Sequence, residues 1–187
     1  MRVIGGDLKG KKLLIPLDKS TRPLRDMVRE SIFNILNHSS KVSKNINNSK
    51  ILDLFSGTGS FGIECLSRGA RGVIFFENYS NSLKILKKNI FNLKLEDKTK
   101  IYESDAYNLK ESNLKNEIFD LIFLDPPFKD KEINILINQI KILQIADVNT
   151  LIIIHRNKKS VDDVSKCLNI LYEKSYGLSK ILFSKLI

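Results

Sequence analysis

The residues best suited to chemistry are Asp125-Pro126-Pro127-Phe128. An exocyclic amine on a nucleobase is a poor nucleophile, because its lone pair is delocalised into the ring. The Asp125 carboxylate and the Pro126 carbonyl can each accept one N–H of such an amine. Holding both lets the nitrogen become tetrahedral and aims its lone pair at an electrophilic methyl group. Prolines fix that backbone without adding competing donors, and Phe128 can stack on the base. A second set lies upstream. Asp53-Leu54-Phe55-Ser56-Gly57-Thr58-Gly59 follows a short apolar run, and Gly57 to Gly62 reads G-x-G-x-x-G. Glycines there let a backbone approach a ligand closely. Glu77 follows at the distance where an acid binds ribose hydroxyls, so these two features suit a dinucleotide-binding dehydrogenase and a methyltransferase equally. Two more features favour methyl transfer. Asp105 stands where its carboxylate can accept from an adenine amine, and a dehydrogenase has no use for an Asp-Pro-Pro-aromatic turn.

These positions need strand ends to hold them together, and the pattern supplies them. Strands are expected at Ile51–Phe55, Arg71–Glu77, Lys100–Glu103, Ile118–Leu124 and Leu151–His155, with helices at residues 59–68, 80–93 and 131–144. Val161, Val164, Leu168 and Leu171 predict a further helix, and the tail reads as a hairpin of Leu171–Tyr176 and Lys180–Leu186. Alternation of this kind gives an α/β, doubly wound, mostly parallel sheet, in which ligands bind beyond the C-terminal strand ends. Ahead of it, residues 1–49 read as an extension: short strands near Arg2–Ile4 and Lys12–Ile15, a helix from Pro23 to about Asn37, and a polar loop over residues 38–49. Residues 50–187 form the expected chemical domain.

The 187 residues suit one globular domain with a sizeable core and a short extension. Lys plus Arg number 31 against 21 Asp plus Glu, a net charge of +10, which favours a polyanionic partner over an uncharged one. No apolar run approaches the ~18 residues of a membrane span, and the opening residues lack a signal-peptide pattern, so no membrane partner and a cytoplasmic location are expected. Cys65 and Cys167 stand apart with no metal-ligand spacing nearby. They read as two buried free thiols, and no metal is expected.

The chain resembles the bacterial small-subunit ribosomal RNA guanine-N2 methyltransferases that modify 16S RNA, over nearly its whole length. The resemblance is carried by Arg2-Val3-Ile4-Gly5-Gly6, Lys9-Gly10-Lys11-Lys12-Leu13, Thr21-Arg22-Pro23-Leu24-Arg25-Asp26 and Val28-Arg29-Glu30. It continues through the Asp53–Gly59 loop, Glu64-Cys65-Leu66-Ser67-Arg68-Gly69-Ala70 and Asp125-Pro126-Pro127-Phe128. It implies a seven-stranded, Rossmann-like methyltransferase sheet with a reversed last hairpin. It further implies S-adenosyl-L-methionine as donor, a guanine N2 as acceptor, and action on assembled small ribosomal subunits; a monomer is expected. Carried over by position, Asp53, Phe55, Gly57 and Gly59 lie at the methionine end of the donor, Glu77 at its ribose and Asp105 at its adenine. Asp125 to Phe128 form the acceptor site. Two positions depart: Tyr79 and His155 stand where family members often carry an acid. His155 is assigned no role.

Arg22, Arg25 and Arg29 are spaced to share one side of the N-terminal helix and its entrance. With Lys9, Lys11 and Lys12 they form a candidate RNA-backbone surface; pairing with Asp26 and Glu30 as an ordinary salt-bridged face is the alternative. Three rival functions stay open: an amino-methyltransferase acting on DNA or protein, a nicotinamide dehydrogenase, and a non-catalytic RNA-binding factor in ribosome assembly.

Overall fold

In the computed structural model, which describes residues 1–16, 24–160 and 163–187, helices and strands alternate from Asp26 to Asn157 and two further strands follow. In chain order the elements are α1 (Asp26–His38), β1 (Lys50–Leu54), α2 (Ser60–Ser67), β2 (Gly72–Phe76), α3 (Ser80–Asn92) and β3 (Thr99–Tyr102). They continue with β4 (Leu121–Leu124), α4 (Ile133–Ile142), β5 (Leu151–Asn157), β6 (Leu168–Tyr176) and β7 (Ser179–Leu186). The sheet runs β3-β2-β1-β4-β5-β7-β6. β1 to β5 are parallel, and β7 is antiparallel to both β5 and β6. The strand order therefore reverses between β1 and β4, which opens a crevice at their C-terminal ends.

The parallel strands are apolar almost throughout because both sheet faces are covered. Successive side chains alternate between two cores. Ile51, Leu121, Phe123, Ile153 and Phe183 pack with α1, α2 and α3. Leu52, Leu54, Ile122, Ile154 and Leu182 pack with α4 and the short 3₁₀ turn at Ala106–Glu111. Residues 1–49 enter the first core through Val3, Leu13, Val28, Ile32, Phe33, Leu36, Val42 and Ile46. The loop after α1 is thus pinned at Val42 and Ile46, although its remaining residues are largely polar.

Two elements differ from the expectation. Leu168 and Leu171 belong to strand β6, not to a helix, and Val164 lies in the turn before it. Their spacing imitates a helical face, but pairing with β7 from Leu168↔Leu186 to Tyr176↔Ser179 prevails, with a register shift between Ile170 and Tyr172. At the N-terminus the two short strands reduce to a single antiparallel bridge, Arg2↔Lys12. Arg22, Pro23 and Val161 lie outside the described residues. Cys65 is buried and free as expected, whereas Cys167 is free but only half-buried.

Candidate active site

The crevice holds a cavity of about 370 Å³, walled by the ends of β1, β2, β4 and β5, the start of α1 and the first residue of β7. That volume suits a small ligand. Asp53 lies in its floor. The Gly62 N–H donates to Asp53 Oδ2 at 3.0 Å, while Oδ1 is buried with no hydrogen-bond partner. Burial pushes the Asp53 carboxyl well above the usual range, only partly offset by the Gly62 bond; Asp125 and Glu77 push it further. An orphaned carboxylate oxygen in a cavity wall is a place for a ligand's donor.

Past Asp53 the chain turns sharply. Phe55 adopts a left-handed conformation with φ 61°, rare for a bulky residue. Its ring meets Tyr107 edge-on, with centroids 5.6 Å apart. Gly57 and Gly59 are also left-handed, with φ 55° and 80°. The turn is held to β2 by the Ser56 N–H donating to the Phe76 carbonyl at 3.0 Å. Glu77 holds it too, accepting from the Gly57 N–H at 2.6 Å and the Tyr79 N–H at 2.7 Å. Burial raises the Glu77 carboxyl, and these backbone donors oppose the shift. The Glu77 carboxylate keeps lone-pair capacity for a hydroxyl donor.

The Asp125–Phe128 turn lies across the crevice. His155 Nδ1 lies 2.7 Å from Asp125 Oδ1, and His155 Nε2 lies 2.9 Å from Ser179 Oγ. A carboxylate offers only lone pairs, so Nδ1 carries the proton and donates. Phe128 sets its ring edge-on to His155 at 5.6 Å. On the opposite face, Arg156 Nη1 donates to the Pro127 carbonyl at 3.2 Å and Nη2 to the Asp130 carbonyl at 2.6 Å. The Tyr107 hydroxyl donates to Asp130 Oδ2 at 2.7 Å. Burial and the neighbouring carboxylates push that phenol far up, which keeps it a donor.

Of the expected donor-site residues, Asp53, Phe55, Gly57 and Glu77 line the cavity, as do Asp125, Pro126, Pro127 and Phe128. Gly59 does not; it opens α2 as its N-cap. Asp105 does not line the cavity either. It caps the following 3₁₀ turn through the Tyr107 N–H at 3.0 Å and accepts from Asn78 Nδ2 at 3.2 Å. Asn78 and Tyr79 line the cavity in its place. Among the arginines, Arg25 is exposed and reaches the cavity rim. Arg29 corrects the expected RNA surface: it is fully buried, with ion pairs to Asp26 and Glu64. Lys9, Lys11 and Lys12 are exposed around the N-terminal turn but do not line the cavity. His155, Arg156 and Ser179 are the residues that sequence reasoning missed. The signal for His155 was its place at the end of an apolar strand. Among the described residues no group of three His, Cys, Asp or Glu is placed to hold a metal, and no helix is long and apolar enough to cross a membrane.

A family model described as conserved hypothetical protein 95 matches residues 1–185. The chain belongs to this family. It is 33% identical over 187 residues to the protein named "Putative rRNA methyltransferase YlbH" of Bacillus subtilis, across 99% of this chain and 98% of that one. It is also 33% identical to "Ribosomal RNA small subunit methyltransferase D" of Buchnera aphidicola, across 84% of this chain and 78% of that protein. Membership in the small-subunit methyltransferase D family is the one its sequence motifs implied. A solved structure described as "Putative methyltransferase yhhF from Escherichia coli" superposes with TM-score 0.83 at 27% identity, covering 100% of this chain and 97% of that chain. The seven-stranded Rossmann-like sheet with its antiparallel C-terminal pair is the family fold.

Proposed function

We propose that this protein is an rRNA methyltransferase that moves a methyl group from S-adenosyl-L-methionine to the exocyclic N2 amine of a guanine in 16S ribosomal RNA. We take its substrate to be the assembled small subunit in the cytoplasm, its working form a monomer, and residues 1–49 an RNA-contacting extension. The observation that carries this is one cavity walled at once by the orphaned Asp53 carboxylate and by the Asp125–Phe128 turn. The names of the relatives support the RNA class.

The donor fits the residues present. Asp53 Oδ1 would accept from its ammonium group, Glu77 would hold its ribose hydroxyls, and Asn78 and Tyr79 would flank its adenine. S-adenosylmethionine would supply a methyl group carried on a sulfonium. Phe128 stacks on a guanine presented outside its helix, and Asp125 and the Pro126 carbonyl take the two N–H bonds of its amine. As the new N–C bond forms and the S–C bond breaks, the nitrogen becomes acidic. Its proton leaves along the hydrogen bond to Asp125, and from there to solvent. Most of the acceleration comes from alignment and from the carboxylate's field.

Labelled donor offered to small subunits, free RNA, DNA and protein, with mass-spectrometric mapping of the product, tests the substrate. Asp125→Ala should lower turnover by about 1,000-fold, the scale of losing a preorganised electrostatic partner, with donor binding intact by calorimetry. Normal turnover in that variant, or methyl groups appearing elsewhere than on guanine N2, overturns the proposal.

A further inference from the structure

The geometry points to His155 and Arg156 as positioning residues that leave two acceptors, Asp125 Oδ2 and the Pro126 carbonyl, open to the incoming amine. The inference rests on the function proposed above and concerns how this chain prepares its acceptor turn.

The turn offers more acceptors than an amine has protons, and a misplaced amine would not be aligned with the methyl group. β5 removes the surplus. Leu124 pairs with Ile154 in the parallel register, so Asp125 and His155 follow side by side. Because side chains alternate along a strand, His155 and Arg156 reach opposite faces of the same turn. On one face His155 Nδ1 occupies Asp125 Oδ1 at 2.7 Å, and Ser179 at 2.9 Å fixes the ring from its far nitrogen. On the other, the Pro127 carbonyl takes Arg156 Nη1 at 3.2 Å and the Asp130 N–H at 2.9 Å, which fills both lone pairs. Among the described residues no hydrogen bond reaches Asp125 Oδ2 or the Pro126 carbonyl. Both His155 and Arg156 are buried. Burying such groups is costly without bonds, and Asp125 and the Pro127 carbonyl each supply one.

Two conservative variants separate positioning from general structural support. In His155→Asn the amide nitrogen falls where Nδ1 stood and keeps the bond to Asp125. In His155→Gln it falls near Nε2 and keeps Ser179 instead. His155→Gln should lower kcat by about 100-fold, the cost of roughly 1 Å of misalignment, with the donor's Kd unchanged. His155→Asn should retain most of kcat. Arg156→Lys, which cannot span both carbonyls, should also lower kcat more than it alters donor affinity. Crystal structures of the two His155 variants give a readout independent of substrate: Asp125 keeps its orientation with Asn and turns with Gln. Equal kcat in the two variants, or one Asp125 orientation in both, overturns the inference. An unmodified enzyme that methylates no guanine would instead count against the proposed function, and the crystallographic comparison would still decide this one.

Discussion

Arg29 Nε lies 3.8 Å from Glu64 Oε2, and both side chains are fully buried. Burial lowers the Arg29 pKa, with Glu64 and Asp26 opposing the shift. Glu64 is the better connected partner. It accepts from the Ile4 N–H at 2.8 Å, the Gly5 N–H at 2.7 Å and Arg68 Nε at 2.9 Å. It therefore fastens the N-terminal turn to α2. Glu64→Ala strips a buried guanidinium of a partner and frees two backbone donors, and should cost about 3–5 kcal/mol. Arg29→Met should cost clearly less, because Glu64 keeps Arg68 and both amides. Denaturant unfolding of the two variants checks the order, and the reverse order would refute it.

Arg25 is the exposed arginine at the cavity rim. Arg25→Ala should leave the melting temperature unchanged, weaken binding to small subunits, and reduce the slope of log affinity against log salt by about 1, as expected for one lost phosphate contact. Arg29→Met should leave that slope unchanged. Titrations at several salt concentrations distinguish the two arginines, and an unaltered slope in Arg25→Ala removes it from the RNA surface.

The strands were readable where they are central and apolar, as in β1, β4 and β5. The hairpin of β6 and β7 was readable from Leu171 onward, but the start of β6 was not, because Leu168 and Leu171 happen to fall at helical spacing with Val161 and Val164. Arg29 was misassigned on its spacing from Arg25. Yet it also stands four residues before Phe33 and seven before Leu36, within the buried stripe of α1. The chemical residues were legible because glycine, proline and acid types cluster at strand ends. The tie between Asp125 and His155 needed the order of the sheet, since only adjacency of β4 and β5 makes those strand ends neighbours.

Gly57 and Gly59 share a left-handed backbone but should fail differently. A Cβ on Gly59 would lie 2.4 Å from Leu86 Cδ1, whereas one on Gly57 meets nothing within 4 Å. Both alanine variants carry left-handed strain of about 1–2 kcal/mol. Gly59→Ala adds the clash and should melt lower than Gly57→Ala. Gly57→Ala projects its methyl group into open space at the donor cavity and should lose more donor affinity per degree of melting temperature lost. Paired thermal melts and calorimetry test this, and equal ratios would show that the two glycines serve only the turn.

Asp53 places stability and binding in opposition. Its folded pKa is raised well above 3.8, mainly by burial. Below the unfolded value the carboxyl is protonated in both states. As pH rises toward the folded value, the unfolded chain ionises first, so the contribution to stability is lost through that interval. Asp53→Asn cannot ionise and retains an oxygen for the Gly62 N–H. Its ligand-free form should melt with the parent at low pH and increasingly above it as pH rises from the unfolded carboxyl value toward the raised Asp53 pKa. Donor binding should run the other way. An ammonium partner favours the ionised carboxylate, so the parent should release protons on binding while Asp53→Asn releases fewer. Losing a hydrogen bond between charged groups should weaken donor binding by about 10–100-fold. Equal donor affinity in Asp53→Asn would show that the orphaned oxygen does not meet the ligand. A lower melting temperature at neutral pH would show that its burial carries no penalty.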